Sequence, residues 1–342
     1  MHSAETTYAS SGVDIDLKGE FIRSLVRQLK FSRKSYAPAI GVGHFTSAIN
    51  FGSKLLTLST DGVGSKLLIA RQMRKWDTVG IDCVAMNVND TICIGAEPIA
   101  LVDYVALPRL EQDIASDIGR GLNKGARMAN ASIVGGEVAV LTEMLNDIDL
   151  SASCLGMVDR RRIVTGRSIR KGDTIIGLPS SGLHSNGFTL VRKLLREKGL
   201  TLDEKITGGR RLGDVLMTPT RIYVREILRC IASGGVTGLA NITGGGMRNI
   251  LRLKSGVLFN IGSFPRIPAI FDLIRDAGNI GYQEMFQTFN MGVGFVVVCR
   301  QRSADRVIQS LRTDGLKPSV IGSVEEGHGV TLGEFGVHYD SY

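Results

Sequence analysis

The sequence lacks the features that mark membrane, exported and disulfide-bonded proteins. No apolar run approaches the roughly 20 residues that span a bilayer, because the most apolar stretch, 293–299, is only as long as a strand. Residues 1–16 are polar and mixed in charge, without the basic and apolar regions of a signal peptide. The five cysteines are scattered without a C-x-x-C pair, which argues against a zinc ribbon or a disulfide framework. We therefore expect a cytoplasmic protein whose thiols pack in the core.

A concentration of basic charge is also missing. The chain has 41 Lys and Arg against 33 Asp and Glu, a formal net charge of +8, but these residues are dispersed and the longest basic run is 160–162. No basic tail, zinc finger or aromatic RNA-binding pattern accompanies them. The balance fits an ordinary solvated surface or small anionic substrates such as phosphates. It gives little support to a nucleic-acid-binding protein, and we expect neither a nucleic acid nor a membrane as partner.

Proline is scarce, whereas glycine is abundant. The chain contains 8 prolines and 42 glycines, while average usage gives roughly 24 glycines in a chain of this length. The glycines follow no period, which excludes collagen. Hydrophobic residues make up 43% and charged residues 22% of the 342 residues, which is typical of a folded globular protein. At about 150 residues per domain, this length predicts two domains.

The apolar segments predict strands and helices in both halves of the chain. Charge rises and apolar density falls at 159–173, so we expect an N-terminal domain of residues 1–165 and a C-terminal domain of residues 166–342. Both are expected to be α/β or α+β. The predicted helices are 21–30, 79–94, 111–129, 188–198, 218–231 and 303–313, with a further start at Met247. The predicted strands are 54–59, 100–107, 132–134, 150–158, 174–178, 257–261, 292–299 and 319–324.

Carboxylates stand at the ends of three predicted elements. Asp61 follows a strand, Asp90 ends an apolar segment, and Glu137 follows the short strand 132–134. Mg²⁺ prefers oxygen ligands and is usually held by a few carboxylates together with substrate phosphates. Each acid alone is equally well explained as a cap or turn residue, because Asp is common at both. The three together favour a metal site.

Glycines and a lysine accompany these acids. Gly62 and Gly64 follow the first acid, and Gly135 and Gly136 precede the third. Glycine lets a backbone approach a ligand closely. Lys66 would add a compact positive charge for a phosphate. The pattern therefore extends the candidate site from metal binding to phosphate binding.

The polar loop 180–187 leads directly into a predicted helix. Free N–H groups and the helix dipole attract anions at such a position, so Ser181, Ser185 and Asn186 are candidate contacts to a phosphate or substrate. His184 adds a group that can donate, accept or carry charge near neutral pH. An N-capping loop with a surface histidine explains the same pattern equally well.

Two further glycine-rich segments could approach a ligand. One precedes the predicted helix start at Met247 and is neither a Walker A loop nor a dinucleotide-binding motif. The other follows the predicted helix 21–30 and includes a histidine. A tight turn without a ligand explains either segment as well. The candidate substrate contacts in them are Gly41, Gly43, His44, Thr243, Gly244 and Gly245.

Short motifs follow one another in order along nearly the whole chain. They are 11–14, 60–66, 79–90, 95–98, 135–137, 181–193, 218–223, 242–246 and 288–294. In type and order they resemble those of the phosphoribosylformylglycinamidine cyclo-ligases, also called aminoimidazole ribonucleotide synthetases. The number of ordered matches argues against coincidence.

The resemblance implies a fold and a reaction. The fold would be α/β (α+β) with two domains: a dimeric, β-barrel-like ATP-binding core from the N-terminal half and a C-terminal α/β sandwich. The reaction would be the ATP-dependent closure of formylglycinamidine ribonucleotide to 5-aminoimidazole ribonucleotide in purine biosynthesis. In the mechanism expected for the family, ATP activates the formyl oxygen as an iminophosphate. The neighbouring amine nitrogen then attacks that carbon, and ADP and phosphate are released.

The resemblance also implies roles for the candidate residues. Mg²⁺ on the triphosphate would be held by Asp61, Asp90 and Glu137. The residues that take part in catalysis would be Asp61, Lys66, Asp90 and His184. The contacts to ATP would come from Gly62, Gly64, Lys66, Asn89, Gly135 and Gly136. The loop 181–186 and the two glycine-rich segments would face the substrate or its phosphate.

The chain departs from the family pattern at three places. Segment 138–144 reads Val-Ala-Val-Leu-Thr-Glu-Met where many members have Thr-Ala-Glu-Met-Pro-Gly, so an extra acid there is open to question. Asn241 stands where a histidine usually precedes Ile-Thr-Gly-Gly-Gly, which removes a possible catalytic imidazole. Segment 40–45 replaces a Gly-Gly-Phe-Gly-like loop.

Two alternatives stay open at this point. One is another ATP-dependent enzyme of the same superfamily; selenophosphate synthetase, for example, would be expected to have a reactive N-terminal Cys, and no Cys precedes Cys83. The other is a nucleotide-binding paralogue without turnover, which Asn241 motivates. Four intact residues argue against that paralogue: Asp61, Lys66, Asp90 and Glu137.

Overall fold

The computed structural model describes Gly12, residues 15–206 and residues 208–342. Ser11, Val13 and Asp14, which belong to the first motif, lie outside the described residues. The α-helices are α1 Ile15–Gln28, α2 Lys66–Met73, α3 Val79–Thr91, α4 Gln112–Ala129, α5 Phe188–Lys198, α6 Leu212–Leu216, α7 Val224–Ser233, α8 Ala269–Gly278, α9 Tyr282–Thr288 and α10 Ala304–Leu311. Short 3₁₀ helices cover Lys34–Tyr36, Ile92–Ile94, Gly246–Arg252, Gln301–Ser303 and Gly333–Phe335.

The strands form two separate sheets, one from each half of the chain. They are β1 Pro38–Ile40, β2 Ser47–Phe51, β3 Lys54–Gly62, β4 Glu97–Leu107, β5 Ser132–Val140, β6 Asp149–Asp159, β7 Thr174–Pro179, β8 Val236–Asn241, β9 Leu258–Ile261, β10 Val293–Cys299, β11 Ser319–Glu325, β12 Gly329–Leu332 and β13 Val337–Tyr339. The first sheet has the order β1-β2-β3-β6-β4-β5, and the second has the order β13-β12-β9-β11-β7-β10-β8. The predicted mixed α/β architecture is confirmed. In the described part of the chain β1 and β5 stay unpaired with each other, so one chain alone forms an open sheet rather than a barrel.

Helix α3 is the central helix of the molecule. It packs on β3 and β6 of the first sheet, on α4, and on β8 of the second sheet. Nearly every residue of α3 is buried, as expected for a helix packed on all sides. The buried residues include the polar Asp82, Asn87 and Asn89. Its close approach to α4 depends on glycines: a Cβ on Gly80 would lie 2.3 Å from Leu122 N, and one on Gly121 would lie 2.5 Å from Asp77 O.

One hydrophobic core continues from the first half into the second. It extends from Phe45 to Tyr339, and strands such as β10, buried along its whole length, read as continuous apolar runs. The five cysteines are all buried, which confirms the expectation of core thiols. None of the helices in the described residues combines the length and apolar character needed to cross a membrane.

Three predicted elements differ from the structure. The short strand 132–134 continues through its glycines to form all of β5, so Gly135 and Gly136 lie inside a strand rather than after one. The helix predicted from Thr218 begins only at Val224, because 217–223 is an extended loop whose polar groups bond to α3. The N-terminal helix begins six residues earlier than predicted, and its apolar face is exposed, with Phe21 70% accessible.

Candidate functional site

Two carboxylates meet where the halves of the chain come together. Asp61 lies near the end of β3, and Asp90 lies near the end of α3. Asn87 Nδ2 donates to Asp61 O at 3.1 Å, which joins the two elements. Burial raises the pKa of both carboxyls, and the neighbouring charge of Asp61 raises that of Asp90 further, to about 7. Two buried carboxylates are unfavourable when both are charged, and a bound cation removes this penalty. The pair is therefore suited to a cation.

Asn241 ties this pair to the second sheet. It ends β8, and its Nδ2 donates to Asp90 Oδ1 at 2.8 Å. This hydrogen bond opposes the burial effect by lowering the pKa of Asp90. The residue that departs from the family pattern is therefore bonded directly to a predicted metal ligand.

Arg252 is a cation next to these acids that sequence reasoning missed. It ends the 3₁₀ helix Gly246–Arg252 and lowers the pKa of both Asp61 and Asp90 through its charge. Its guanidinium Cζ lies 5.0 Å from the ring centroid of Phe45 and 3.9 Å from that of Tyr342. Its Nε is buried without a hydrogen-bond partner in the described part of the chain.

His44 lies beside the same arginine. Burial and the positive charge of Arg252 lower its pKa to about 4, so its imidazole is neutral at pH 7. Both ring nitrogens are buried without a partner among the described residues. The predicted loop therefore presents one free donor and one free acceptor to this region, while Gly41 and Gly43 are exposed.

The glycine triplet forms the wall next to Arg252. Thr243 N donates to Asn249 Oδ1 at 2.8 Å, which folds the loop onto the 3₁₀ helix. A Cβ on Gly244 would lie 3.0 Å from Asn186 Oδ1, and one on Gly245 would lie 2.6 Å from Asn249 Nδ2. The Nδ2 atoms of Asn186 and Asn249 are buried without partners among the residues described. Free donors thus surround the loop, which is typical of a site built to bind a ligand.

The serine loop 180–187 is held in place by its own polar groups. His184 has a φ of +63° and accepts a hydrogen bond from Ser181 N at Nε2, 3.2 Å away. Burial and the charges of Lys66 and Arg221 lower its pKa to about 3. Of the three capacities expected of this histidine, donating, accepting or carrying charge, the charged form is disfavoured at neutral pH, because a buried imidazole next to cations stays neutral. Asn186 is the member of this loop with a free donor.

The two serines predicted to contact substrate, Ser181 and Ser185, bond to the segment that follows α6. Ser181 Oγ donates to Pro219 O at 2.6 Å, and Ser185 Oγ lies 3.1 Å from Thr220 Oγ1. Their predicted contact with substrate is untested. In the structure their hydroxyl groups shape the loop.

Lys66 does not occupy the predicted phosphate position. It is 0% exposed, and its Nζ lies 2.9 Å from Asp82 Oδ2. The same Nζ donates to His184 O at 3.1 Å and to Thr218 O at 2.8 Å. An ammonium has three N–H groups, so all of its donors are committed to protein acceptors. The geometry excludes a direct phosphate contact without rearrangement.

Asn89 is likewise committed to the protein. Its Nδ2 donates to Arg221 O at 2.8 Å, and its Oδ1 accepts from Tyr223 N at 3.1 Å. It is fully buried. These bonds hold α3 to the second half of the chain, and the contact of Asn89 with ATP stays a prediction.

Glu137 points away from the other two predicted metal ligands. In register, Asp61 shares a row with Ala152, Asp103 and Gly136. Glu137 is one residue further along β5, and successive side chains point to opposite faces of a sheet. Three strand spacings of about 4.8 Å also separate the two acids. Within one chain Glu137 therefore lies apart from Asp61, and the described residues contain no group of three or more His, Cys, Asp or Glu placed to hold a metal ion. The set of three metal ligands stays a prediction.

The remaining predicted glycines lie in strands or in a tight turn. Gly62 is the last residue of β3, and Gly64 adopts a φ of +69° in the turn before α2. Such a turn favours glycine because left-handed backbone strains other residues. A Cβ on Gly136 would lie 2.6 Å from Asp103 Oδ1. The contacts of these glycines with ATP stay a prediction.

A local signal could have revealed Arg252. The segment after the glycine triplet reads Asn249-Ile-Leu-Arg252. In a 3₁₀ helix residues i and i+3 lie on the same side, so both polar side chains face the site. Residues three apart are also neighbours on an α-helix, so the spacing of this pair was visible in the sequence.

Family models match both halves of the chain. Residues 46–158 match the model described as AIR synthase related protein, N-terminal domain. Residues 170–333 match AIR synthase related protein, C-terminal domain.

Curated relatives match nearly the whole chain. The phosphoribosylformylglycinamidine cyclo-ligase of Thermoplasma volcanium is 46% identical over 331 residues, which cover 96% of this chain and 97% of that protein. The protein of the same name from Methanocaldococcus jannaschii is 46% identical over 321 residues, with 93% and 92% covered. The one from Methanococcus vannielii is 45% identical over 322 residues, with 94% and 92% covered.

Solved structures share the fold at much lower identity. A HypE–HypF complex superposes with a TM-score of 0.66 at 17% identity, covering 91% of this chain and 94% of that one. AaThiL complexed with AMPPCP and TMP gives 0.64 at 19% identity, covering 92% of each chain. T. maritima PurL complexed with ADP gives 0.57 at 16% identity, covering 86% of this chain and 44% of that one.

Proposed function

Because this chain belongs to the phosphoribosylformylglycinamidine cyclo-ligase family, it is an ATP-dependent ligase of purine biosynthesis, and we propose that its reaction takes place around Asp61, Asp90 and Arg252. The reaction is the ring closure of formylglycinamidine ribonucleotide to 5-aminoimidazole ribonucleotide. Its two substrates are rich in phosphate, so the site must offer both a cation and hydrogen-bond donors.

The observation that carries this proposal is a pair of desolvated carboxylates next to the positive charge of Arg252. Asp61 and Asp90 form no ion pair with a described lysine or arginine, and burial raises the pKa of both. Mg²⁺ commonly binds one or two carboxylates together with substrate phosphates. The two side chains fit such an ion, which when bound offsets the negative charge of the triphosphate.

The chain's own residues would then position the substrate. The free donors of Asn186 and Asn249, next to the glycine loop, and the unpartnered ring of His44, next to Arg252, would orient the ribonucleotide. Positioning supplies much of the rate in phosphoryl transfer. The formyl oxygen must lie next to the transferred phosphoryl group, and the amine nitrogen next to the formyl carbon. Ring closure then expels phosphate with that oxygen, and the attacking nitrogen loses a proton.

We also propose that residues 1–165 and 166–342 are two domains and that the first one pairs in a homodimer. The face of the first sheet opposite α3 is uncovered, with Leu58 57%, Val102 45% and Tyr104 37% exposed. Contiguous exposed apolar residues on a sheet face mark interaction surfaces. Glu137 shares a row with Tyr104 and so lies on this same face.

A turnover assay tests the function. Purified protein, ATP, Mg²⁺ and formylglycinamidine ribonucleotide should give 5-aminoimidazole ribonucleotide and ADP in equal amounts. No product despite measured ATP binding would favour a non-catalytic paralogue.

An Asp61 variant tests the metal assignment. Asp61→Asn should lower kcat by about 100-fold or more, because it removes a charged ligand. The control Asp314→Asn changes an exposed acid outside the site and should leave turnover unchanged. Unchanged Mg²⁺-dependent turnover in Asp61→Asn would remove Asp61 from the mechanism.

A further inference from the structure

The side chain of Arg252 reaches the site with its hydrogen-bonding capacity unused. Its Nε is buried and lacks a partner among the described residues. The acids Asp61 and Asp90 act on it by charge alone, because no described carboxylate is hydrogen-bonded to it. A desolvated guanidinium without an acceptor is costly, so this geometry calls for an anionic ligand.

Two aromatic rings hold the guanidinium in place. Its Cζ lies 5.0 Å from the centroid of Phe45 and 3.9 Å from that of Tyr342. These contacts are made with the ring systems rather than with acceptor atoms, and the Nε keeps an unused N–H. A side chain with many rotamers is thus ordered before any ligand arrives, which reduces the entropy lost on binding.

The segment that carries Tyr342 is fixed to the second sheet and the glycine loop. Arg248 Nε donates to Ser341 O at 3.1 Å, and Tyr339 is buried and donates through its hydroxyl to Gln283 O. A Cβ on Gly245 would lie 3.0 Å from a carbon of the Tyr342 ring. The ring therefore lies against both the arginine and the loop.

Two of the residues predicted to contact phosphate or substrate, Lys66 and His44, do not offer a free positive charge for this ligand. Lys66 is buried with its three donors on protein acceptors, and His44 is neutral. Arg252 instead presents a planar fork that matches the oxygens of a phosphoryl group.

We propose that Arg252 binds a phosphoryl group of a substrate and that Phe45 and Tyr342 are positioning residues for it. The role of Arg252 in ring closure rests on the proposed function. The binding of a phosphoryl group by Arg252 does not depend on it. Two sources share this chemistry: the terminal phosphate of ATP, and the 5′-phosphate of the ribonucleotide.

Calorimetric titration distinguishes the two sources. The probes are AMPPCP with Mg²⁺ for the triphosphate and ribose 5-phosphate for the ribonucleotide. Arg252→Gln should weaken one of them by about 10- to 100-fold, since a hydrogen bond to a charged group is lost. Arg252→Lys should lie between this variant and the wild type, because it keeps the charge but loses the fork. Arg312→Gln, an exposed arginine after α10, is the matched control and should bind both probes normally.

Substitutions at Tyr342 test the positioning role. Tyr342→Ala should weaken the same probe as Arg252→Gln, whereas Tyr342→Phe keeps the ring and should bind like the wild type. In turnover the affected substrate should show a raised KM if the 5′-phosphate is bound, and a lowered kcat as well if the transferred phosphate is bound.

The outcomes separate this inference from the proposed function. Binding of both probes within twofold of the wild type by a folded Arg252→Gln protein would overturn it. If that protein does not fold, unchanged binding by both Arg252→Lys and Tyr342→Ala would overturn it instead. If probe binding depends on Arg252 but the protein makes no aminoimidazole ribonucleotide, the inference about Arg252 is supported. The proposed function is then contradicted.

Discussion

At the scale of single residues, His184 couples the serine loop to pH. It is 2% exposed, and burial next to Lys66 and Arg221 lowers its pKa from 6.5 to about 3. The folded protein therefore holds this imidazole neutral while the unfolded chain takes up a proton below pH 6.5. Its contribution to stability is complete above that pH and declines as pH falls toward 3.

Acid titration of stability should reveal this histidine. Between pH 7.5 and pH 5, His184 alone should remove about 2 kcal/mol from the free energy of unfolding. His184→Asn should lack that loss, and Asn tolerates the positive φ of +63° at this position. Urea unfolding of both proteins at the two pH values measures the difference. Because Asp90 is present in both, its opposite pH dependence cancels, and parallel curves would contradict the assignment.

The Lys66–Asp82 pair should contribute to stability rather than to phosphate binding. Lys66→Met leaves the Asp82 charge buried and unpaired, which should cost about 3–5 kcal/mol. In the wild type, Thr220 N donates to Asp82 Oδ1 at 2.7 Å. Adding Asp82→Asn removes the unpaired charge but keeps an acceptor for this N–H, so the double variant should regain part of the lost stability. Urea denaturation measures both. A Lys66→Met protein of normal stability that no longer binds ATP would restore the phosphate role.

Residue types alone could identify this region. They could not show which charged residues face a ligand and which bond to the protein. Asp61 and His44 were visible as chemistry-bearing side chains next to glycine and Asp90 as an acid ending an apolar segment, and the structure brings these three to Arg252. Lys66 looked equally suitable, and only its burial on α2 shows that its donors are already used. Whether a charge faces ligand or protein depends on contacts 16 to 152 residues apart in sequence, which spacing does not encode.

At the scale of elements, helix α3 depends on glycines for its contact with α4. Gly121→Ala would place a Cβ 2.5 Å from Asp77 O and 3.0 Å from Gly80 Cα. The helices would have to separate, and the free energy of unfolding should fall by about 1–3 kcal/mol.

Gly119→Ala is the matched control two residues earlier on the same helix. A Cβ there meets nothing within 4 Å, so alanine should stabilise the protein by about 0.5–1 kcal/mol. Thermal unfolding of both variants gives the comparison. Equal changes of the same sign would show that helix propensity, not packing against α3, governs both sites.

Elements with a strong period were predictable, and those that end through tertiary contacts were not. The predicted helix 111–129 agrees with α4 because its apolar face repeats clearly. Thr218 instead looked like a helix start, yet Asp82 accepts hydrogen bonds from Thr220 N and Oγ1 and keeps 217–223 extended. Pairing with β4 likewise carries β5 through its two glycines.

At the scale of the whole molecule, the two halves share one core and one site. Asp90–Asn241 and Asn89–Tyr223 hydrogen bonds cross between them, so the catalytic region forms only when both halves are folded. The sequence could predict the two α/β halves from their composition and element order. It could not predict that Glu137 faces away from Asp61, because that depends on the register of four strands.

The uncovered face of the first sheet should make the wild-type protein a homodimer. Light scattering after size-exclusion chromatography should give twice the chain mass of 36.9 kDa. Val102→Glu introduces a charge in the middle of this face, and burying an unpaired carboxylate is costly, so the variant should be monomeric. Val320→Glu is the matched control, since Val320 is a valine of similar exposure, 47% against 45%, on β11 of the second sheet. A monomeric wild type, or equal dissociation of both variants, would place the interface elsewhere.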